Sequence, residues 1–224
     1  MGKVIAFLNS KGGSGKTTIA TSFAHCLHQF GHKVLIVDTD PQGTALEWSD
    51  RQPENSDFPA VVGLDRPEAL YNALPKVAPD FDFIIIDGVA KLEKISISAI
   101  KVSDIVIVPV QPSGADIWGA SDLVEFIKAR QEVGEGKPAS AFVVSRQIVG
   151  TNLASDIMEA LQSYDLPVLN SRTSQRVAYT EALTAGTTVL DIEPDGKASD
   201  EIRAITEELL ALANNTPHNH GTKA

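Results

Sequence analysis

Apolar residues fall along the chain in short dense runs separated by longer amphipathic stretches. Lys3–Asn9, Val34–Val37, Phe83–Ile86, Ile105–Val110 and Ala141–Val144 are nearly all apolar, as parallel strands covered on both faces should be. Pro167–Leu169 is a shorter candidate for a sixth strand. Helical spacing occupies 17–30, 44–51, 66–75, 94–102, 116–132, 152–163, 175–184 and 198–214. In the first of these, Ile19, Phe23, Leu27 and Phe30 share one face, and Gly31 supplies a stop. Strands alternating with helices predict a doubly wound α/β domain with a mainly parallel sheet. The polar, proline-containing stretch Arg51–Ala60 reads as a surface loop. Residues 214–224 read as a polar, disordered tail, which leaves 1–213 as a single domain.

Composition narrows the function classes. A chain of 224 residues, 43% hydrophobic and 21% charged, is ordinary for one soluble domain. No apolar run approaches the ~20 residues that span a bilayer. The chain opens directly into a strand pattern, without a basic region and small-residue cleavage site, so a cytoplasmic location is expected. One cysteine, Cys26, excludes an intrachain disulfide and a cysteine-cluster metal site within one chain. Its mid-helix place predicts a small packed side chain. His25, His28 and His32 line one side of the same helix without a partnering carboxylate motif, which predicts surface packing rather than a metal face. The net charge of −10 argues against coating nucleic acid through overall charge, so any DNA contact would need a local basic patch.

The sharpest chemical signal is Ser10-Lys11-Gly12-Gly13-Ser14-Gly15-Lys16-Thr17-Thr18, between a predicted strand and a predicted helix. That context is what a P-loop requires. Small residues let successive backbone N–H groups turn inward around phosphate oxygens, and the helix N-terminus adds positive potential. Lys16 would reach the β- and γ-phosphates, the Thr17 hydroxyl would ligate Mg²⁺, and Thr18 would donate to the α-phosphate. The usual pattern has glycine where Ser10 stands, and an extra lysine, Lys11, precedes the paired glycines.

With that extra lysine the loop resembles the deviant Walker A box of the ParA/MinD family of P-loop ATPases. The resemblance implies that Lys11 crosses a dimer interface to touch the partner's ATP, a role like that of an arginine finger. Val34-Leu35-Ile36-Val37-Asp38-Thr39-Asp40-Pro41 resembles the family's second motif, which implies Asp38 near the Mg²⁺ shell and Asp40 orienting the attacking water. Phe83-Ile84-Ile85-Ile86-Asp87 reads as a Walker B strand with one carboxylate facing the metal. The family usually continues with Thr or Ser and then Pro, whereas this chain has Gly88-Val89-Ala90. Val108–Ser113 followed by Asp116-Ile117-Trp118, the segment Ser171–Tyr179, and the helix around Glu201–Leu212 are similar to small, ParF-like partition ATPases.

The resemblance implies a Mg²⁺-dependent ATPase, slow without its partner, that forms a homodimer with ATP and binds non-specific DNA. It also implies a centromere-binding or cargo adaptor that stimulates hydrolysis, and nucleoid association in the ATP state. Arg172, Arg176, Lys197 and Arg203 are the candidate DNA contacts. Two alternatives are a positioning ATPase for a non-DNA cargo and a MinD-like membrane-cycling regulator. The second needs a basic amphipathic closing helix, whereas Asp200, Glu201, Glu207 and Glu208 make the final helix acidic.

Overall fold

A computed structural model describes residues 2–148 and 153–216. The expected helix start at 152 and the tail from 217 lie outside the described residues. Six parallel strands form one sheet: β1 (Lys3–Phe7), β2 (Val34–Asp38), β3 (Ala60–Gly63), β4 (Phe83–Asp87), β5 (Ile105–Val110) and β6 (Ala139–Val144), in the spatial order β3-β2-β4-β1-β5-β6. The helices are α1 (Lys16–Gln29), α2 (Thr44–Asp50), α3 (Pro67–Val77), α4 (Lys94–Val102), α5 (Gly114–Trp118), α6 (Ser121–Val133), α7 (Leu153–Gln162), α8 (Val177–Thr184), α9 (Val189–Ile192) and α10 (Lys197–Asn215). No helix among the described residues is long and apolar enough to cross a membrane.

Period-two alternation along each strand divides the core into two layers. Val4, Ala6, Val37, Ile84, Ile86, Val106 and Val108 face one way, against apolar residues of α3, α4, α6 and α7. Ile5, Phe7, Ile36, Ile85, Ile105 and Ile107 face the other, against Phe23 and Leu27 of α1, Trp48 of α2, and Ile205 and Leu209 of α10. Both faces are covered, which is why the strands are almost wholly apolar. Cys26 packs with Ala178, Tyr179, Ala182 and Ile202 in a small satellite cluster joining α1, α8 and α10.

Several boundaries differ from expectation for physical reasons. The first strand ends at Phe7 because Asn9 turns the chain: its amide donates to the Pro109 carbonyl at 2.6 Å, and its Oδ1 accepts the Lys11 N–H at 2.9 Å. Four-residue β3 is an unexpected edge strand: among the described residues it pairs with β2 alone, and it is largely exposed although Ala60-Val61-Val62 is an apolar run. The candidate strand Pro167–Leu169 reduces to a single bridge between Phe142 and Val168. The expected helix 116–132 breaks at residues 119–120. There the Trp118 carbonyl accepts the Ser121 hydroxyl and the Gly119 carbonyl accepts the Ser10 hydroxyl, so both are engaged by side chains at the break. Helix α10 continues to Asn215, two residues past the expected domain end.

Candidate functional site

Parallel register places the chemistry along one edge. Phe7, Asp38 and Asp87 end β1, β2 and β4 and sit opposite one another across the sheet. Residues 10–18 leave the C-terminal end of β1 beside that row and run into α1. Gly15 precedes the helix at φ 92°, a left-handed conformation that a Cβ would strain. Three neighbours brace the loop: Gln111 donates to the Gly13 carbonyl at 2.8 Å, Ser145 to the Ser14 carbonyl at 2.7 Å, and Ser10 to the Gly119 carbonyl at 2.6 Å. A glycine-rich turn leading into the N-terminus of a 14-residue helix is an arrangement that suits an anion.

Lys16 is buried, and its Nζ lies 3.2 Å from the Lys11 carbonyl. Burial pushes its ammonium down from the ordinary lysine value, against the opposing pull of Asp87 and Asp40. Asp87 is pushed up to about 7, first by burial and then by the charge of Asp38, while a hydrogen bond from Thr17 works the other way. Thr17 and Asp87, two of the expected metal ligands, therefore meet. The Asp87 Oδ1 is buried without a hydrogen-bond partner, which fits a carboxylate oxygen reserved for a cation. The residues present suit a nucleotide triphosphate with Mg²⁺.

Asp38, the third expected metal ligand, ends β2 opposite Asp87, and its carboxylate is hydrogen-bonded to the backbone. Its Oδ1 accepts the Asp40 N–H at 2.9 Å, and its Oδ2 accepts Ala45 at 2.9 Å and Leu46 at 3.1 Å. The carboxylate thus fixes the turn after β2 and caps the first turn of α2; burial raises its pKa and these three bonds lower it. That turn holds Asp40, whose charge acts on Lys16. Gly88 has a steric cause. A Cβ there would lie 2.4 Å from Leu8 Cδ2 and 2.8 Å from the Phe7 carbonyl oxygen, so no side chain fits beside β1.

Lys11 does not join Lys16 in the cradle. Its ammonium lies 3.0 Å from Asp116 of α5, with the lysine side chain 41% exposed and the aspartate 9%. The contact is one of charge rather than an aligned hydrogen bond, since Asp116 Oδ1 has no hydrogen-bond partner. Asp116 Oδ2 accepts the Ser113 hydroxyl, which fixes the carboxylate. Trp118 closes the same helix 74% exposed.

On the other side of the loop a pocket of about 290 Å³ opens beside Gly15 and Thr18. Ile19, Val177 and Leu183 give it apolar surface; Ser145, Arg146, Ser174 and Tyr179 give it polar groups. Its size and mixed lining suit a nucleoside. Two of the four candidate DNA contacts, Arg176 and Arg203, lie against carboxylates. Arg176 pairs with Glu201 at 2.7 Å, Arg172 donates to the Asn170 carbonyl and Gln147, and Arg203 donates to the Pro194 carbonyl beside Asp200. Lys197 is exposed at the start of α10. Sequence reasoning did not single out Gln111, Asp116, Ser145 or Glu201 for a role. Gln111, Asp116 and Glu201 lie within segments whose similarity was visible; Ser145 carries no local motif.

Comparison with known proteins agrees with this geometry. Residues 5–189 match the family model described as the CobQ/CobB/MinD/ParA nucleotide binding domain. The maintenance of carboxysome distribution protein A of Halothiobacillus neapolitanus is 29% identical over 92% of this chain and 95% of its own length. The sporulation initiation inhibitor protein Soj of Bacillus subtilis is 28% identical over 94% of this chain and 99% of its own. Among solved structures, apo McdA of Cyanothece superposes with a TM-score of 0.80 at 18% identity, covering 93% of this chain and all of that one. The chain belongs to the CobQ/CobB/MinD/ParA family of nucleotide-binding domains.

Proposed function

We infer that the protein is a Mg²⁺-dependent ATPase working as a molecular switch. ATP binding closes two copies face to face, the closed pair binds non-specific duplex DNA, and an adaptor on the cargo triggers the hydrolysis that opens it. The observation that carries this reading is the place of Lys11. A cation on the rim of a phosphate cradle, 41% exposed and held by a single carboxylate, is available to a second subunit. Lys16 lies inside the cradle and serves its own nucleotide.

Roles follow from position. The N–H groups of Gly12–Thr18 and the Lys16 ammonium hold the phosphates. Thr17 and Asp87 hold Mg²⁺, which when bound neutralises phosphate charge as a Lewis acid. Asp40, on the turn that Asp38 fixes, orients the attacking water. The differential affinity of the ATP and ADP forms for partners is then the output. Similarity to a protein named for carboxysome distribution and to one named as a virulence plasmid ParA family protein supports an intracellular positioning task for a large cargo, DNA or otherwise.

The test is binding to non-specific duplex DNA with ATP, ADP or no nucleotide, for wild type and Lys11→Ala, across a salt series. The expected result is ATP-specific binding that weakens with salt and is lost in Lys11→Ala. Equal or absent binding in every nucleotide state would overturn the DNA step.

A further inference from the structure

Five hydrogen bonds converge on one carboxylate behind the pocket beside Thr18. Glu201, on α10, has a side chain 16% exposed. Its Oε2 accepts the Ser174 N–H at 3.0 Å and the Tyr179 hydroxyl at 2.9 Å. Its Oε1 accepts the Ser174 hydroxyl at 2.7 Å, Arg176 Nε at 3.1 Å and Arg176 Nη2 at 2.7 Å. Burial pushes the Glu201 carboxyl up, but the Arg176, Ser174 and Tyr179 hydrogen bonds outweigh it and hold the group below its ordinary range. Glu201 is therefore an ionised anchor at neutral pH.

All three donors line the pocket. The segment that carries Ser174 and Arg176 has its other edge tied to β6 and the residues after it. Thr173 N–H donates to the Val144 carbonyl, Gln147 N–H to the Thr173 carbonyl, and Gln175 N–H to the Gln147 carbonyl, at 3.0, 2.8 and 2.9 Å. Two turns farther along α10, Glu208 accepts the N–H groups of Asn170 and Ser171, both at 2.9 Å. One wall of the pocket is thus suspended between the sheet edge and two carboxylates seven residues apart on α10. Cut at Glu201, the wall keeps its sheet bonds. It loses the point that fixes the Arg176 guanidinium, leaves the Ser174 hydroxyl to find a new partner, and leaves the Tyr179 hydroxyl with the Ala198 carbonyl at 3.1 Å.

We propose that Glu201 is a positioning residue for the nucleoside end of the nucleotide, holding the wall formed by Ser174, Arg176 and Tyr179 in the shape that accepts base and ribose. The proposal rests on the reading that the P-loop takes ATP. It separates two contributions to affinity: the cradle grips the triphosphate whether or not Glu201 is present, and the wall supplies the increment that distinguishes ATP from bare triphosphate.

The experiment is calorimetric titration of the full chain with Mg²⁺-ATP and with Mg²⁺-tripolyphosphate, for wild type, Glu201→Gln, Glu201→Asp and Tyr179→Phe. Glu201→Gln is expected to bind ATP ~10-fold more weakly, in line with the loss of a charged hydrogen-bond acceptor, and tripolyphosphate within about twofold of wild type. Glu201→Asp should recover part of the ATP loss, and Tyr179→Phe should weaken ATP by a smaller factor. Unchanged ATP affinity in Glu201→Gln overturns the proposal, as does an equal loss for ATP and tripolyphosphate. If Glu201→Gln fails to fold, Tyr179→Phe decides: an unaltered ratio of ATP to tripolyphosphate affinity overturns it. A wild-type chain that binds neither ligand overturns the nucleotide reading as a whole, a result distinct from one in which wild type binds both.

Discussion

The two ends of the candidate nucleotide site are built in opposite ways. The phosphate end is local: residues 10–18 supply cradle, cation and hydroxyl in one segment, and Asp87 arrives on a strand whose register with β1 is fixed by the core. The nucleoside end is assembled from residues far apart, with Ser145 and Arg146 after β6, residues 173–184 beyond them, and Glu201 on α10 holding the wall. A substitution at the phosphate end removes a charge that the chemistry needs. One at the nucleoside end moves a wall. The first should be felt by every ligand bearing a triphosphate, the second only by ligands that carry a nucleoside.

The largest expected effect is on turnover. Asp40→Asn should slow hydrolysis by ~10²–10⁴-fold, the range associated with a positioned acid–base group, with ATP affinity within a few-fold of wild type. Single-turnover phosphate release checks it. Retained hydrolysis would shift the water-orienting role from Asp40 to another group. Next in size, Lys16→Ala should weaken ATP and tripolyphosphate together by ~100-fold, since a charge-assisted hydrogen bond to phosphate is lost for both. Calorimetry with the two ligands gives the ratio directly. Loss of ATP binding with tripolyphosphate binding intact would erase the distinction between the two ends.

A smaller effect is expected in the pH dependence of stability without metal. Asp87 in the folded chain is raised from an ordinary 3.8 to about 7. Its contribution is complete below about pH 4, where both states are protonated. Between about 4 and 7 the unfolded chain ionises while the folded chain holds its proton, so stability falls as pH rises, by at most ~1.4 kcal/mol per unit. Urea midpoints in chelator should show this slope, and Asp87→Asn should flatten it. An unchanged slope would place the proton on another group.

How much of this was legible in the sequence follows the same division. The strand runs, the P-loop and the terminal aspartates could be read because each depends on neighbours in the chain: period-two burial, glycine at a left-handed turn, a carboxylate at a strand end. The edge strand Ala60–Gly63 could not, because its apolar run, Ala60-Val61-Val62, is only three residues long and abuts a polar, proline-containing loop. At the break between α5 and α6 the Gly119 carbonyl takes a hydrogen bond from the hydroxyl of Ser10, more than a hundred residues earlier, a contact no local pattern announces. Asp38 is expected at the metal because its motif places it there; only the fold shows that its oxygens also accept the N–H groups of residues 40, 45 and 46. Arg176 looked like a free cation, whereas the fold pairs it with a carboxylate; Arg172 is bonded to a neutral amide, which does not cancel its charge. Their partners, Glu201 and Gln147, lie 25 residues away on opposite sides.

The smallest expected effect concerns the one cation of the loop that faces away from the cradle. Lys11 is held by Asp116, and Asp116 is itself fixed by Ser113. If Lys11 serves the nucleotide of a second subunit, closure has to break this pair first, so Asp116 opposes the dimer by the strength of the pair. With the lysine 41% exposed, that strength is reduced by solvent to ~0.5–1 kcal/mol. Asp116→Asn keeps the shape and removes the charge. It should lower the ATP concentration that gives half-maximal dimer by ~2–5-fold, as measured by light scattering with an ATP series, while Lys11→Ala abolishes the dimer in either background. A rise in that concentration instead would mean that Asp116 is needed within the closed pair, and that the monomer's ion pair is carried over rather than broken. Either direction separates α5 from both ends of the nucleotide site, because neither tripolyphosphate affinity nor the preference for ATP over it should change.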